Sequence, residues 1–444
     1  MKHSLLLLFA VSTFANAQKA IPLRDLGPIE AVSKDTVGYL YGLREFSDGR
    51  VLISDATQRR LTLFDASLAN AATLADSLPS AVLSYGKRPT TILPYRGDTA
   101  IFVDLAGRAL LLLDANGTVV RVMSSPRPGD LGWIGNPNNG VPGFDGRGRI
   151  IYRSTILPGF QAPVKGKPYV APSIPDSAPI IRVDFDTRIA DTLAWVRTAT
   201  MKVSVQYLEG GGVQLSPTMT PLSVVDDWAL LPDGTVAIVR GQDYHIDWIA
   251  PDGARTSSPK MAFDWKRLTD ADKVAIVDSA KRILEAGGMV GAPSPYSAPV
   301  GGGAHGGGAP AGGGNHGMTI MPVESRPDGS PPPVSNTASG AITPMPAPKV
   351  VPASELPDYL PPIARPGTMR ADPDGNLWIL PSTSAQSGKG LVYDIVNRSG
   401  EISSRVRLPV GRALQGFGAN GAVYLTAYGP EGARIERSRL ERKP

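Results

Sequence analysis

Ala371-Asp-Pro-Asp-Gly-Asn-Leu-Trp-Ile-Leu380 joins a tight-turn signal to a run of four apolar residues. Asp-Gly supplies the positive φ that a short hairpin needs, and the residues after it suit a buried strand. The same phrase recurs along the chain. It reads Phe46-Ser-Asp-Gly-Arg-Val-Leu-Ile-Ser-Asp55, then Tyr95-Arg-Gly-Asp-Thr-Ala-Ile-Phe-Val-Asp104, then Phe144-Asp-Gly-Arg-Gly-Arg-Ile-Ile-Tyr-Arg153. Further copies are Leu231-Pro-Asp-Gly-Thr-Val-Ala-Ile-Val-Arg240 and Phe417-Gly-Ala-Asn-Gly-Ala-Val-Tyr-Leu-Thr426. Each copy is predicted to be the centre of a β-hairpin.

A second phrase follows each first one: an apolar strand ending near Asp or Asn, often with Gly two or three residues on. Leu110-Leu-Leu-Leu-Asp114 with Gly117, and Leu391-Val-Tyr-Asp-Ile-Val-Asn397 with Gly400, are examples. Together the phrases predict a four-stranded antiparallel unit repeated six times. The turn glycines Gly49, Gly97 and Gly148 lie 48 and 51 residues apart, and Gly375 and Gly421 lie 46 apart. The expected fold is all-β: a six-bladed β-propeller with one inserted helix and a disordered Gly/Pro-rich loop. The sixth unit lacks an outer strand of its own. Gly27-Pro-Ile-Glu-Ala-Val-Ser33 is expected to supply it.

The pattern resembles the six-bladed propellers of the NHL-repeat and TolB-like group, above all exported bacterial members without assigned activity. Pro373-Asp-Gly-Asn-Leu-Trp378 and Tyr393-Asp-Ile-Val-Asn-Arg-Ser-Gly400 carry the resemblance, which spans residues 27–263 and 355–440. It speaks to fold and hardly to activity, because such propellers host unrelated functions. A TolB-like resemblance implies, at most, a place in a cell-envelope assembly.

The flanking segments complete the expected layout. Lys2, the apolar run Leu5 to Val11 and Ala15-Asn16-Ala17 form a signal peptide over residues 1–17, with an uncleaved anchor as the alternative. Export, periplasmic or secreted, follows from it. Residues 18–263 are assigned to blades one to four with the closing strand, 264–288 to a helix, 289–351 to a disordered loop and 352–444 to blades five and six. Thr269-Asp-Ala-Asp272 is a capping-box variant. Val274, Ile276, Val277, Ile283 and Leu284 form the stripe that should pack the helix on the propeller. The loop holds Gly301-Gly-Gly-Ala-His-Gly-Gly-Gly308 and Pro331-Pro-Pro333, a composition too poor in apolar residues to offset its ordering entropy.

Across 444 residues there is no cysteine, which excludes disulfides, thiolate nucleophiles and Cys-based zinc sites. The net charge of +5 is mild and no basic run stands out, so nucleic acid is not an expected partner. No segment after the signal is long and apolar enough to span a bilayer.

No catalytic constellation emerges, and no cofactor or metal is expected. His245, in Asp243-Tyr-His-Ile-Asp247, has no Gly-x-Ser-x-Gly elbow to serve. A metal-dependent lactonase-like hydrolase, known among six-bladed propellers, would draw on Asp55, Asp104, Asn136, Asn138 and Asn139. Arg153 and Arg240 at the positions equivalent to Asp55 and Asp104 speak against a cation-binding ring.

The long connections 125–139, 154–179, 199–222, the helix with its disordered loop, and 381–389 share one face, opposite the Asp-Gly turns, and binding is expected there. The candidate ligand-binding residues are Trp133, Asn136, Asn138, Asn139, Arg153, Arg240, Tyr244 and His245. Arg153 and Arg240, with Arg60 and Arg108 near, are expected to attract an anion. The predicted partner is a small molecule, sugar or peptide at this face, or another envelope protein.

Overall fold

The computed structural model describes residues 21–76, 84–156, 168–171, 173–199, 201–207, 213–285, 318–320, 349–363, 365–386, 390–430 and 432–440. The signal segment 1–17 and nearly all of 289–351, including His305 and His316, lie outside the described residues.

The repeated phrases form the expected hairpins. The first sheet orders its strands along the chain: Leu40–Glu45, Val51–Asp55, Arg60–Phe64 and Ala71–Ala75. The second has Ile92–Pro94, Ala100–Asp104, Ala109–Leu113 and Val119–Ser124. The third has Gly143–Phe144, Ile150–Arg153, Ser177–Val183 and Ala190–Arg197. The fourth has Asp227–Leu230, Val236–Arg240, His245–Ile249 and Arg255–Ser257. All are antiparallel between neighbours. Gly49, at the first Asp-Gly turn, has φ +83°, which a side chain rarely adopts.

Two sheets borrow from the N-terminus. The fifth, Arg370–Ala371, Leu377–Ile379, Val392–Val396 and Ile402–Arg407, takes Leu23–Asp25 as a parallel fifth strand. The sixth, Arg412–Phe417, Ala422–Gly429 and Gly432–Arg439, is completed by Ala31–Val32, paired antiparallel with Arg437 and Glu436.

Apolar side chains fill the space between neighbouring sheets. Phe46, Leu61, Phe102 and Leu111 join sheets one and two. Ile101, Val103, Ile150 and Tyr152 join two and three. Ile180, Val196, Trp228 and Ile238 join three and four. Val239, Ile246, Leu377 and Val396 join four and five, and Trp378, Val406, Leu414 and Leu425 join five and six. Val51, Phe64, Tyr424 and Ile435 then join the sixth to the first. A sheet that is apolar on both faces needs a neighbour on each side, and this cyclic order supplies one.

The insertions differ from expectation. The described residues between 199 and 222 are mostly strand rather than irregular loop. Met201–Tyr207 and Val213–Met219 form a hairpin in a seventh sheet. Met318–Ile320 pairs antiparallel with Val213–Leu215, and Lys349–Val350 pairs parallel with Thr218–Met219. The described fragments of the Gly/Pro-rich segment are therefore strands, because the free edge of Val213–Met219 offers backbone partners.

Helix Asp270–Glu285 carries the capping box, with Asp272 N donating to Thr269 Oγ1 at 3.1 Å and Thr269 N donating to Asp272 Oδ2 at 2.9 Å. Its buried stripe is shifted. Val274 is exposed, while Lys273, Val277 and Ala280 are buried. Lys273 is buried at the root, and its ammonium reaches the exposed Asp358 at 2.8 Å.

Candidate functional site

Cross-sheet contacts fix the two faces. Arg50 in an Asp-Gly turn donates to Asn116 in the next sheet's third-to-fourth-strand turn, and Arg398 in such a turn pairs with Asp233 in an Asp-Gly turn. Those two turn types therefore share a face, and the remaining connections share the other. The predicted site residues separate there into three groups.

The first group gathers where the inner strands begin. Asn138 is exposed, and its Oδ1 accepts from Tyr39 Oη of the first sheet at 3.3 Å. Asn139 Oδ1 accepts from the Arg153 guanidinium, and Asn139 O accepts from Trp228 Nε1 at 2.9 Å. Arg153 Nε is buried without a hydrogen-bond partner. Burial holds the guanidinium down to about 10, against the opposing pull of Asp227.

Asp227 does not form an ion pair with Arg153, because its oxygens are taken. Oδ1 accepts from the backbone N–H groups of Trp228 (2.9 Å) and Gly367 (2.8 Å), and Oδ2 from those of Thr368 and Met369, both at 2.8 Å. Gly367 to Met369 make a backbone nest around this carboxylate. Gly367 has φ +82°, and a Cβ there would meet Asn138 O at 2.8 Å. Burial pushes the Asp227 carboxyl up, against the downward pull of these four donors. Asn136 shapes the loop, its Oδ1 accepting from Asn138 N at 3.1 Å.

The second group lies between the outer parts of sheets three and four. Arg240 is not a free cation. It reaches Asp226 at 2.7 Å and Asp247 at 2.6 Å. Burial pulls its charge down, but the bonds to Asp247 and Asp226 outweigh it and hold the guanidinium above its ordinary range. Asp226 also accepts from the N–H groups of Arg197 (2.9 Å) and Gly241 (3.0 Å), which stitches the two sheets together. His245 sits between two carboxylates, Nδ1 2.7 Å from Asp243 and Nε2 3.2 Å from Asp247. These residues line a groove of about 500 Å³ together with Trp195 and Gln242.

The third group leaves the site. Tyr244 is fully buried, and its hydroxyl donates to Asp394 Oδ2 at 2.6 Å. Trp133, in the short helix Leu131–Ile134, packs against the core between sheets two and three. An aromatic ring in a loop is drawn to apolar burial as readily as to a ligand. Arg60 is paired with Asp76 at 3.0 Å.

The lactonase candidates are turn formers. Asp55 accepts from Gly38 N (2.6 Å) and Gln58 N (2.8 Å), and Asp104 from Ala106 N and Gly107 N, both at 2.9 Å. Among the described residues no group of three or more His, Asp or Glu is placed to hold a metal ion. Among the same residues no helix is long and apolar enough to cross a membrane.

Sequence reasoning missed Tyr39, Asp227, Trp195 and the nest at Gly367–Met369. Trp195 carried a readable signal, since it alternates with the buried Ala194 and Val196 on an outer strand. The other three meet across sheets, where no local pattern reports.

Four-stranded antiparallel sheets in cyclic order, each inner strand opening on a common centre, define a β-propeller. No protein-family model matches the chain, and no curated protein matches it. Solved structures similar to it are propeller-like proteins at low identity. One is a calcium-binding protein, regucalcin, from Agrobacterium tumefaciens, 10% identical over 96% of this chain and 99% of that one, with a TM-score of 0.39. A gluconolactonase from Xanthomonas campestris is 12% identical over 94% and 98%, at 0.38. Virginiamycin B lyase from Staphylococcus aureus is 12% identical over 93% and 88%, at 0.32.

Proposed function

We propose that the chain is an exported, six-bladed propeller that works as a binding protein, seating an anionic group beside Arg153. The six sheets in cyclic order would be the blades, and the seventh sheet and the helix would be insertions. The reading rests on one observation: Arg153 is a largely buried guanidinium with no ion pair and an unpartnered Nε among the described residues. A cation held out of water, whose nearest carboxylate Asp227 is taken up by backbone N–H groups, is costly, and an incoming anion relieves that cost.

The neighbours favour the same ligand sign. The carboxamide oxygens of Asn138 and Asn139 are already used by Tyr39 and Arg153, which leaves their N–H groups as donors. With the guanidinium beside them, donors that remain on these amides favour an acceptor: a carboxylate, an acidic sugar or a phosphate. Arg240, with its two carboxylate partners, is not part of this seat.

Isothermal titration with inorganic phosphate and with galacturonate tests the reading. Each charge-assisted hydrogen bond contributes about 1.5–3 kcal/mol, so Arg153→Ala should weaken binding at least tenfold. Arg240→Ala should alter stability more than affinity. Equal affinity in the parent and Arg153→Ala, or a preference for amines, would refute it.

A further inference from the structure

We propose that the groove between sheets three and four is a second binding site, made for a neutral oligosaccharide, with Trp195 as its stacking platform. Its volume, about 500 Å³, falls in the range of small-molecule sites, roughly 300–1,000 Å³. The inference does not depend on the anion seat beside Arg153.

The charges of the groove are largely spent on one another. Asp226 is matched by Arg240 and two backbone N–H groups. Asp247 is matched by Arg240, by Ser257 Oγ at 2.6 Å and by His245. Asp243 is matched by His245 and by Lys260 at 3.3 Å. The groove floor is thus a connected chain of hydrogen bonds and ion pairs that holds the side chains in fixed positions.

What stays open is of another kind. The side chains of Asp176, Ser177, Arg197 and Gln242 line the groove and have no hydrogen-bond partner among the described residues. They offer donors and acceptors together, with one charge of each sign. A cation meets Arg197, and an anion meets Asp176, so neither is favoured. A wholly apolar ligand would leave these groups without hydrogen bonds.

Trp195 stands among them with 46% of its surface exposed. A large aromatic on an outer strand, on the solvent side of a sheet whose neighbouring residues are buried, provides apolar area that the fold does not use. A pyranose ring presents both features that the groove lacks a partner for. Its hydroxyls each donate and accept, and its C–H face is apolar.

The test is isothermal titration of the full protein with neutral gluco-, xylo-, manno- and chito-oligosaccharides. Saturable binding of at least one of them is expected. Trp195→Ala should weaken it about tenfold or more, since stacked aromatic area dominates such contacts. Gln242→Ala should weaken it less. Both side chains are exposed, so unchanged melting temperatures will show that the variants fold. Arg153→Ala should bind the sugar as the parent does, which separates this site from the anion seat. Absence of saturable binding by all four sugars, binding that survives Trp195→Ala, or displacement by phosphate would overturn the proposal.

Discussion

Replacing Asp227 by alanine should cost the fold about 2–4 kcal/mol. The carboxylate accepts four backbone N–H groups, three of them from Gly367 to Met369, about 140 residues away in the chain. Removing it orphans those donors, and each buried, unsatisfied donor costs about 1–3 kcal/mol. Met369 and Trp228 are buried, so their N–H groups carry the full penalty. Gly367 and Thr368 are partly exposed and can recruit water, so theirs is smaller. The loss is offset in part because a buried carboxylate is itself expensive, as its upward shift shows. Urea denaturation measures the difference, with an unchanged m-value showing that the unfolding reaction is the same. Amide exchange at Thr368 and Met369 should accelerate beyond the global effect. A variant within about 1 kcal/mol of the parent, with normal exchange at those amides, would show that the nest does not hold sheets four and five together.

Other outcomes follow from the same geometry. Because burial lowers Arg153 to about 10, its charge persists through neutral pH and is lost as pH rises through that value. Phosphate affinity should therefore be level from pH 8 to 9 and fall above about 10, as titration calorimetry can follow. Tyr244→Phe removes the bond to Asp394 and should cost about 1.5–3 kcal/mol in thermal or urea denaturation, while phosphate binding stays unchanged. Deleting residues through Leu26 removes the fifth strand of sheet five and should lower the melting temperature modestly. Deleting through Lys34 also removes Ala31–Val32 and should abolish a single cooperative transition in calorimetry.

The fold was legible because each blade announces itself locally. Asp-Gly and Asn-Gly turns admit few alternatives, and the strands after them are apolar on both faces, as sheets covered on both sides require. The hairpin over residues 201–219 was legible too, since Met201-Lys-Val-Ser-Val-Gln-Tyr207 alternates strictly, yet its position in a long connection suggested a loop. The site was much less legible. Arg153 and Arg240 occupy equivalent places in their strands, but one faces amides and a saturated carboxylate while the other is held by Asp226 and Asp247. No pattern within either strand tells them apart, because the deciding partners come from neighbouring strands and loops. Tyr244 and Trp133 failed for the same reason. What buries them, the core between sheets four and five for Tyr244 and between two and three for Trp133, is assembled from strands distant in sequence.

The pairing of Ala31–Val32 with Glu436–Arg437 also has a consequence for how the molecule comes into being. A ribosome delivers residue 31 long before residue 436, so this early strand must wait for about 400 further residues before its partner exists. Closing so long a span adds entropy cost only logarithmically, yet it makes this contact non-local in the extreme. The early sheets can form as each hairpin appears, but the last one cannot be completed before residues 432–439 are made. During that interval Ala31–Val32 is without its partner strand, open to any other extended segment. Joining the native ends and cutting the chain at a surface turn would turn this latest contact into one of the earliest, and refolding should quicken accordingly.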